Sequence, residues 1–530
     1  MAAPDGNAPC RFTFPPDPSG GGFSGVRITV RQVAAVLPKR QSGTELEAVA
    51  WRWIGSIAAA LTAVLLVAAP GYGYHRDELY FRLLGHHLAW GYTDQPPLTP
   101  LLARLATAVF GDNLVAIRVP AAIGAVFLVV LTALLARELG GTAAAQVRAA
   151  AGTASAALIL IAGHVMLTAS IDLPLTAAVI LFAVRAILRG DSRWWLAAGA
   201  VSGLALYNKQ LIVLVATAFL AGVVIAGPRS LLRDRWLWLG ALLALVIGLP
   251  NLIYQMAHDW PQVDMARAIN ETDGSDNRTF FIPLQLVLLG PFLVPTWVRG
   301  FRDLLRRQSW RPVRAFAVAY LAGCVITFVT GGQPYYVINL LLVLYAAGCV
   351  AATPNHVGRA WIPIALNAVV GAVIALPIVP LSSLGDTPIP DINQATRDQV
   401  GWPRMVDLVA EAYQRIPAAD RNGAVVFAEN YGEAGAVDRF GPDAGLPGVP
   451  VYSGLNALWD LGPPPDGASP VILVGMGPIT MQTYFVNCTV TGTIDNGLGV
   501  DNEEQGRTIA VCAGPRQPWS TIWPALRHLG

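Results

Sequence analysis

The sequence predicts a polytopic α-helical membrane protein with a small α/β domain after its last membrane span. First, 54% of its 530 residues are hydrophobic and only 13% are charged, whereas soluble domains carry about 25% charged residues. Second, eleven stretches are each apolar over a length that can cross a bilayer, which takes about 20 residues. Third, residues 382–530 change to a mixed composition with short apolar runs and turn signals such as "GPPPDG".

Residues 1–50 precede the first apolar stretch and are rich in proline and glycine, as in "FTFPPDPSGGGFSG". They contain no early apolar core of the kind that a secretory signal requires. We expect a mostly disordered cytoplasmic tail over residues 1–50.

The predicted membrane domain covers residues 51–381. Its eleven predicted spans are 53–72, 114–136, 149–168, 172–188, 194–208, 210–227, 236–254, 280–298, 314–330, 335–352 and 360–380. The fourth and fifth spans are short, which is expected of helices that end at a cavity.

The loops between the predicted spans alternate in charge. One set holds fifteen arginines against four acidic residues: 137–148, 185–193, 228–235, 299–314 and 353–359. The other set holds only six basic residues: 74–112, 164–171, 207–210, 255–279 and 331–336. The positive-inside rule places the arginine-rich set in the cytoplasm. The first outer loop, 74–112, and everything beyond residue 381 are then outside.

Residues 382–530 are predicted to form the extracytoplasmic α/β domain. "WPRMVDLVAEAYQRI" has the spacing of an amphipathic helix. Five runs indicate short strands: "AVVFAEN", "VPVYSG", "PVILVGM", "TVTGTID" and "RTIAVCAG". Cys488 and Cys512 lie at two of these strands, so a disulfide between them is expected outside the cytoplasm.

The first outer loop has too much pattern to be a plain connector. "ELYFRLLGHHLAWGY" has helical spacing, and "DQPPLTPLLARL" makes a turn and starts a second short helix. We expect the apolar side chains of the first segment to lie on the membrane surface; they are Leu79, Leu83, Leu84, Leu88, Trp90 and Tyr92.

Ionisable residues gather on the same predicted side as this loop. Asp77 and Glu78 open it, Asp172 starts the fourth span, and Lys209 joins the fifth span to the sixth. A carboxylate at a cavity mouth can take a proton from an incoming hydroxyl or amine, and charges at membrane depth usually mark a site or a pathway. The plainer alternatives are wet interfacial charges and an Asp172–Lys209 ion pair. Together the groups favour a site for an anionic, lipid-borne substrate.

Four motifs between residues 50 and 380 carry a family resemblance: "HRDELYF", "SID", "NKQ" and "GGQPYY". With them, the chain resembles the bacterial family-39-type membrane glycosyltransferases of the GT-C fold, which include protein O-mannosyltransferases and aminoarabinose transferases. The resemblance implies a hexosyl- or pentosyltransferase whose donor sugar is carried on a polyprenyl phosphate and is used at the outer face of the membrane.

The resemblance also implies residue roles. Asp77 matches the position proposed as catalytic base, Asp172 a second acidic position in the cavity, and Lys209 the basic position near the donor phosphate. Gln333 departs from the pattern because relatives tend to have lysine or arginine there, so phosphate binding would depend more on Lys209 and Arg76.

The chemistry expected of these residues is a direct displacement at the anomeric carbon. One carboxylate that acts as base, without a nucleophilic partner, predicts inversion. The expected catalytic residues are Asp77, Glu78 and Asp172, with Glu78 orienting Asp77 or helping to hold a metal. Cations would stabilise the leaving phosphate. The expected substrate-binding residues are Lys209, Arg76, Arg82, His86, Gln333, Tyr335 and Tyr336.

No cofactor is required by this chemistry, and no cysteine spacing typical of a metal site is present. A divalent cation stays an open alternative, and its ligands would come from Asp77, Asp172, His75 and His86.

The expected location is the plasma membrane, with several passes, the N-terminus in the cytoplasm and the C-terminal domain outside. The expected partners are the lipid bilayer, a polyprenyl-phosphate sugar and an envelope acceptor that is a protein, a lipid or a glycan; no nucleic acid is expected.

The alternative function is a transporter or flippase for a lipid-linked or anionic substrate. The gathering of the charges at one face, and the lack of a two-fold repeat in the sequence, weigh against it.

Overall fold

A computed structural model describes residues 46–352 and 360–530 of the chain. The predicted tail up to residue 45 and the predicted loop 353–359 lie outside the described residues. From Glu47 onward the chain groups into one unit of contacts, so the helical part and the α/β part are described together.

The helical part contains sixteen α-helices within the described residues. They are α1 Trp51–Ala68, α2 Arg76–Leu84, α3 Leu98–Phe110, α4 Leu114–Glu138, α5 Ala143–Ala154, α6 Ala157–His164, α7 Thr168–Arg189, α8 Trp194–Ala205, α9 Leu211–Ala226, α10 Arg235–Ala257, α11 Pro261–Thr272, α12 Gly274–Val287, α13 Val294–Arg306, α14 Ala315–Thr330, α15 Ile338–Ala351 and α16 Trp361–Ala375. Five apolar helices of the described chain are long enough to cross a membrane, and the count is seven if each of two bent pairs is one span. Shorter apolar helices account for the other four predicted spans.

Two of the predicted spans, 149–168 and 280–298, are formed by broken helices. Helices α5 and α6 are bent by 63°, and so are α12 and the segment Pro291–Arg306. One side chain on α16 satisfies both breaks: Asn367 Nδ2 donates to the carbonyl oxygen of Ser155 at 3.1 Å and to that of Leu289 at 2.8 Å. A broken helix inside an apolar layer needs such a donor because its freed carbonyls have no water.

The α/β part is built on a five-stranded sheet. Its described strands are β1 Val425–Ala428, β2 Val451–Ser453, β3 Val471–Val474, β4 Phe485–Val486, β5 Thr489–Thr493, β6 Thr508–Cys512 and β7 Gly514–Pro515. The sheet order is β2-β1-β3-β6-β5. Strands β2, β1 and β3 are parallel, whereas β6 is antiparallel to both β3 and β5. All five predicted strands are therefore confirmed, as β1, β2, β3, β5 and β6.

Four helices of four residues each lie in this part of the described chain: Ile389–Ile392, Gln394–Arg397, Ala457–Asp460 and Trp519–Ile522. Three longer helices accompany the sheet: α17 Trp402–Gln414, α18 Tyr431–Ala444 and α19 Pro478–Tyr484. The first covers most of the predicted amphipathic helix. Cys488 and Cys512 form a disulfide bond with an S–S distance of 2.06 Å, which ties the residue before β5 to the end of β6.

The first outer loop, 74–112, packs on the α/β part. The prediction of a membrane-surface helix that extends through Tyr92 is therefore wrong. Helix α2 ends at Leu84, and Leu79 and Leu84 are fully buried. A Cβ atom at Gly435 of α18 would come within 2.8 Å of Leu79, so the two helices touch closely. Leu83 and Tyr92 are buried as well, so that of the six apolar side chains only Leu88 and Trp90 are exposed. Leu79, Leu83 and Leu84 are buried because they share a core with α18.

A buried ion pair fixes the start of α2. Arg118 of α4 donates to both carboxylate oxygens of Glu78 at 2.9 Å, and it also donates to the carbonyls of Ala69 and Gly73 at 2.7 Å. Because each buried charge has a partner and further hydrogen bonds, the pair is tolerated in an apolar layer. It joins the end of α1, the loop and α4 at one point, directly beside Asp77.

Candidate active site

A cavity of about 330 Å³ lies where the first loop, the connector after α8 and the α/β part meet. Asp77 and Asp94 of the loop line it, together with the connector 208–211, helix α11 and Tyr336. The α/β part adds Tyr431 and Asn456. The structure thus brings the predicted residues Asp77, Lys209 and Tyr336 to one cavity.

Asp77 sits in the first turn of α2, where the local sequence fixes its backbone. His75 caps the helix: its Nδ1 accepts a hydrogen bond from the Asp77 amide at 3.1 Å, while Glu78 Oε2 accepts from the His75 amide at 2.9 Å. This reciprocal arrangement is a capping box. The positive end of the helix favours a carboxylate at this position. Asp77 Oδ1 accepts from the Tyr431 hydroxyl at 3.1 Å, and Oδ2 accepts nothing from the described residues.

Lys209 is the cation of the cavity. Its Nζ donates to the Tyr335 hydroxyl at 3.3 Å and lies 4.9 Å from the centre of the Tyr336 ring. Among the described residues, no carboxylate oxygen lies within 4.0 Å of this nitrogen. A desolvated ammonium group that two aromatic rings hold, and that no carboxylate contacts directly within the described chain, is suited to bind an anion.

Asn208 holds the connector that carries Lys209. Its side chain is fully buried; Oδ1 accepts from the Thr99 hydroxyl at 2.8 Å, and Nδ2 donates to the carbonyl of Thr168 at 2.8 Å. The amide of Leu98 also donates to the Tyr207 carbonyl at 2.8 Å. The connector is thus tied to the start of α3 and of α7, which places Lys209 opposite the first loop.

Asp94 is a cavity residue that was not among the predicted site residues. Its Oδ1 accepts from the Tyr80 hydroxyl at 2.8 Å, and that hydroxyl accepts in turn from the amide of Ala457. The pKa of the Asp94 carboxyl is raised to about 7, mainly by burial; the hydrogen bond from Tyr80 opposes this shift and the charge of Asp77 contributes to it. Its signal in the sequence was its place in "YTDQPP" of the same charged loop.

Tyr431 connects the α/β part to Asp77, and sequence reasoning missed it as well. Arg76 Nε donates to the Tyr431 hydroxyl oxygen at 3.1 Å, so the hydroxyl proton is free to point at Asp77. The Arg76 guanidinium lies 4.9 Å above the Tyr431 ring and pairs with Glu503 at 2.6 Å. Arg76 therefore acts through Tyr431 and is not among the cavity-lining residues.

The other predicted residues lie around the cavity without lining it. Glu78 is engaged with Arg118, as described above. Asp172 is buried in α7; its charge interacts with that of Lys209, but its Oδ1 has no hydrogen-bond partner in the described chain. Tyr335 contacts Lys209 from outside the lining, and Gln333 Nε2 makes a long, exposed contact of 3.4 Å to Asp273.

Arg82 and His86 face the outer side of α2. Arg82 Nε donates to Asp112 Oδ1 at 2.8 Å, and the guanidinium also pairs with Asp438 of α18. His86 is exposed. Neither residue lines the cavity.

The metal ligands left open by the sequence do not converge. Within the described residues, no group of three or more histidine, cysteine, aspartate or glutamate side chains is placed to hold a metal ion. His75 Nδ1 is used by the helix cap, and Asp172 does not line the cavity.

Glu433, a buried carboxyl on α18, is expected to make the stability of the folded protein depend on pH. Burial raises the pKa of Glu433 from 4.5 to about 8, and the charge of Glu504 adds to the shift. Since the folded state binds the proton more tightly than the unfolded state, stability is lost as the pH rises from about 4.5 through 8. We expect the thermal unfolding midpoint in detergent to fall across this range and Glu433→Gln to flatten the dependence by at least about 3 °C.

The matched control for this measurement is Glu411→Gln, on the exposed side of α17, which should leave the pH profile of unfolding unchanged. If Glu433→Gln and Glu411→Gln give the same profile as the wild type, Glu433 is not the group responsible.

A sequence-family profile described as "Dolichyl-phosphate-mannose-protein mannosyltransferase" matches residues 94–254. This segment contains Asp94, Asp172 and Lys209. A comparison with curated proteins found no match.

Solved structures match over most of the chain. ArnT from Cupriavidus metallidurans in the apo state has a TM-score of 0.56 and 16% identity, over 88% of this chain and 100% of that chain. The same protein bound to undecaprenyl phosphate has a TM-score of 0.56 and 17% identity with the same coverage. An oligosaccharyltransferase from Archaeoglobus fulgidus, in complex with Zn and sulfate, has a TM-score of 0.45 and 14% identity, over 75% of this chain and 62% of that chain.

Because the two sequences are only 16–17% identical, the likeness to ArnT shows that the two chains share a fold. The profile match and the ArnT structures confirm the resemblance predicted from the sequence: the chain has the fold of the GT-C membrane glycosyltransferases, a bundle of apolar helices followed by an α/β part.

Proposed function

We propose that this protein transfers a sugar from a polyprenyl-phosphate donor to an acceptor at the outer face of the plasma membrane, with inversion at the anomeric carbon. The observation that carries the proposal is the placement of Asp77 and Lys209 on the walls of one cavity. A base and an anion-binding cation are the two groups that an inverting transfer from a phosphate needs. The undecaprenyl phosphate bound to ArnT, which shares the fold, supports a lipid phosphate as the anion.

In the proposed step, the acceptor oxygen or nitrogen attacks the anomeric carbon and loses its proton to Asp77 Oδ2. The bond between that carbon and the phosphate oxygen breaks, and the electron pair leaves with the polyprenyl phosphate. Lys209 stabilises the charge that develops on the leaving phosphate. No general acid is required, because a phosphate ester is already a good leaving group.

We propose that the cavity lies at the outer face of the membrane. The loops that line the cavity support this orientation. Each predicted outer loop supplies a lining residue; these are Asp77, Thr168, Lys209, Gln262 and Tyr336. Within the described chain, no lining residue comes from an arginine-rich loop. Under the positive-inside rule this common face is the outer one, with the N-terminus in the cytoplasm and the α/β domain outside.

The proposed domains keep the predicted boundaries: a cytoplasmic tail at 1–50, a transferase domain at 51–381 and an extracytoplasmic domain at 382–530. Tyr431 and Asn456 bring the last of these to the cavity wall. We therefore assign the α/β domain to completing the active site and to meeting the envelope acceptor.

Reconstitution tests the proposed reaction. Protein in liposomes is supplied with undecaprenyl-phosphate mannose or undecaprenyl-phosphate arabinose and a cell-envelope extract, and loss of the donor is followed by mass spectrometry. We expect the release of undecaprenyl phosphate with one of the two donors. If no donor is consumed while solute or lipid crosses the bilayer, the transporter alternative takes its place.

Tyr431→Phe tests the link between the α/β domain and the base. The substitution removes only the hydroxyl that donates to Asp77. We expect kcat to fall about 10- to 150-fold, which corresponds to the loss of one hydrogen bond to a charged group, about 1.5–3 kcal/mol, while the donor KM stays within about twofold of the wild type. The matched control is Tyr72→Phe, which removes a 2.8 Å hydrogen bond to the Val379 carbonyl away from the cavity. Equal kcat values for the two variants would contradict a role for Tyr431.

A further inference from the structure

A second cavity, of about 460 Å³, lies among the apolar helices, and we call it the α8–α10 groove. Residues of α7, α8, α9 and α10 line it, together with Phe316 of α14. Apart from Ser202 and Thr217, the lining residues are glycines or carry aliphatic or aromatic side chains. Within the described chain, the groove shares no lining residue with the candidate active site. It is therefore a separate, apolar site.

Glycines explain why the groove exists. A Cβ atom at Gly199 of α8 would overlap the backbone of Gly240 on α10, and one at Gly222 of α9 would overlap the backbone of Ala315 on α14. Helices α8 and α10 thus form one closely packed pair, and α9 and α14 form another. The groove lies between the two pairs, and an empty gap there would lose van der Waals contacts along both walls. We expect an apolar chain to fill it.

The length of the groove matches one leaflet of a bilayer. Its lining residues run from Trp195 to Leu206 on α8 and from Ile212 to Val223 on α9, which at about 1.5 Å per residue is about 16 Å in each case. The hydrocarbon core of a bilayer is about 30 Å thick, so the groove accommodates a chain from one leaflet. Leu231, in the arginine-rich connector between α9 and α10, lines one end of it.

That connector places cations at the end of the groove. Three of its residues are exposed and form no salt bridge among the described residues; they are Arg229, Arg233 and Arg235. Its one acidic residue, Asp234, is engaged in the cap of α10, where it accepts from the Trp236 amide at 2.9 Å. The guanidinium groups are therefore available to an anion from outside the chain.

A tryptophan marks the depth of this end. Trp238 lines the groove, its side chain is 57% exposed, and its Nε1 donates to the Leu232 carbonyl at 2.8 Å. Tryptophans with one apolar and one polar side are typical of the headgroup level of a membrane. The free arginines thus lie at the level where lipid phosphates are found, and the planar guanidinium fork binds phosphate oxygens in pairs.

We propose that the α8–α10 groove binds an anionic phospholipid of the inner leaflet, with an acyl chain between the two helix pairs and its phosphate on the arginines of the connector. A zwitterionic lipid is disfavoured because its own cation would face these arginines. The polyprenyl chain of the sugar donor is disfavoured because its phosphate belongs at Lys209, at the other end of α9, and would leave the arginines without an anion. The proposal uses the orientation given above but not the transfer reaction.

Native mass spectrometry of the full-length protein in detergent tests the ligand class. The delipidated protein is titrated with dioleoyl phosphatidylglycerol, dioleoyl phosphatidylcholine or undecaprenyl phosphate, and the dissociation constant of the first bound lipid is measured for each. Since each basic residue near a membrane surface favours anionic lipids, we expect phosphatidylglycerol to bind at least about tenfold more tightly than phosphatidylcholine. Equal constants for these two lipids would overturn the proposal.

Two pairs of variants test the site. Ala241→Phe fills the groove from α10, and Leu242→Phe adds the same ring at an exposed position outside the lining. The second pair replaces three exposed arginines by glutamine, either those of the connector or, as the control, those of α13: Arg299, Arg302 and Arg306. Ala241→Phe and the connector variant should each weaken phosphatidylglycerol at least about tenfold, and both controls should bind it as the wild type does.

The other outcomes contradict specific claims. Equal losses in the two arginine variants would show a general attraction of the basic face and overturn the site. Undecaprenyl phosphate that loses a bound copy in Ala241→Phe, while phosphatidylglycerol is unaffected, would assign the groove to the donor chain. A dimer that Ala241→Phe dissociates without any change in lipid binding would make the groove an interface between two copies. Sugar transfer is measured separately, so each of these results leaves the proposed function standing.

Discussion

Asp77→Asn is expected to lower the rate of sugar transfer by about 10²–10⁴, the range that a general base contributes, while donor binding is retained. The asparagine keeps the shape of the side chain and can still meet the Tyr431 hydroxyl, but it cannot take the acceptor's proton. Its α2 backbone stays fixed by the His75 cap and by the Arg118–Glu78 pair, so the cavity itself should not change. The measurements are single-turnover loss of the donor and the dissociation constant of the sugar-lipid.

The matched control for Asp77→Asn is Asp443→Asn at the exposed end of α18, where the carboxylate makes only a 3.8 Å contact with Arg439. It should transfer sugar at the wild-type rate. Turnover that survives Asp77→Asn within about tenfold would show that another group accepts the proton, and Asp94 is the other carboxylate side chain on the cavity wall within the described chain.

Lys209→Met is expected to reduce kcat/KM by about 10²–10³, the loss seen when one donor to a developing anion is removed. Methionine keeps the straight apolar stem between Tyr335 and Tyr336 but leaves the phosphate without its cation. Because Lys209 would touch the phosphate both before and during the reaction, we expect the donor KM to rise together with a fall in kcat. Steady-state kinetics over a range of donor concentrations separates the two effects.

Arg267→Met provides the comparison for Lys209→Met. Arg267 lies on α11, beside the cavity, but its side chain is 70% exposed and pairs with Asp264 at the surface. The substitution Arg267→Met should leave kcat and the donor KM near the wild-type values. A donor KM that is equal in Lys209→Met and Arg267→Met would place the phosphate elsewhere.

The sequence alone predicted the helical architecture well, because the length of apolar runs carries that information directly. It did not predict the breaks at Ser155 and after Leu289. Each break depends on Asn367, a polar residue more than 70 positions away, and an apolar run that is broken has the same composition as one that is straight.

The site was predicted only where one local segment carried the signal. Asp77 and Lys209 stood out as charges in apolar surroundings, and the structure places both on the cavity wall. Tyr431 could not be found in this way, since it lies 354 positions from Asp77 and belongs to a different part of the fold. Glu78 shows the converse case: its position beside Asp77 predicts a catalytic role, whereas its buried partner, Arg118, is visible only after α4 packs on the loop.

The most direct test of the account is a structure of the Asp77→Asn protein, determined by electron cryo-microscopy in a lipid nanodisc with the sugar-lipid that the wild type consumes. The substitution should trap the donor before transfer. We predict that the donor phosphate lies within hydrogen-bond distance of Lys209 Nζ, with the anomeric carbon facing position 77. A donor whose phosphate lies outside this cavity, away from Lys209, would contradict the account.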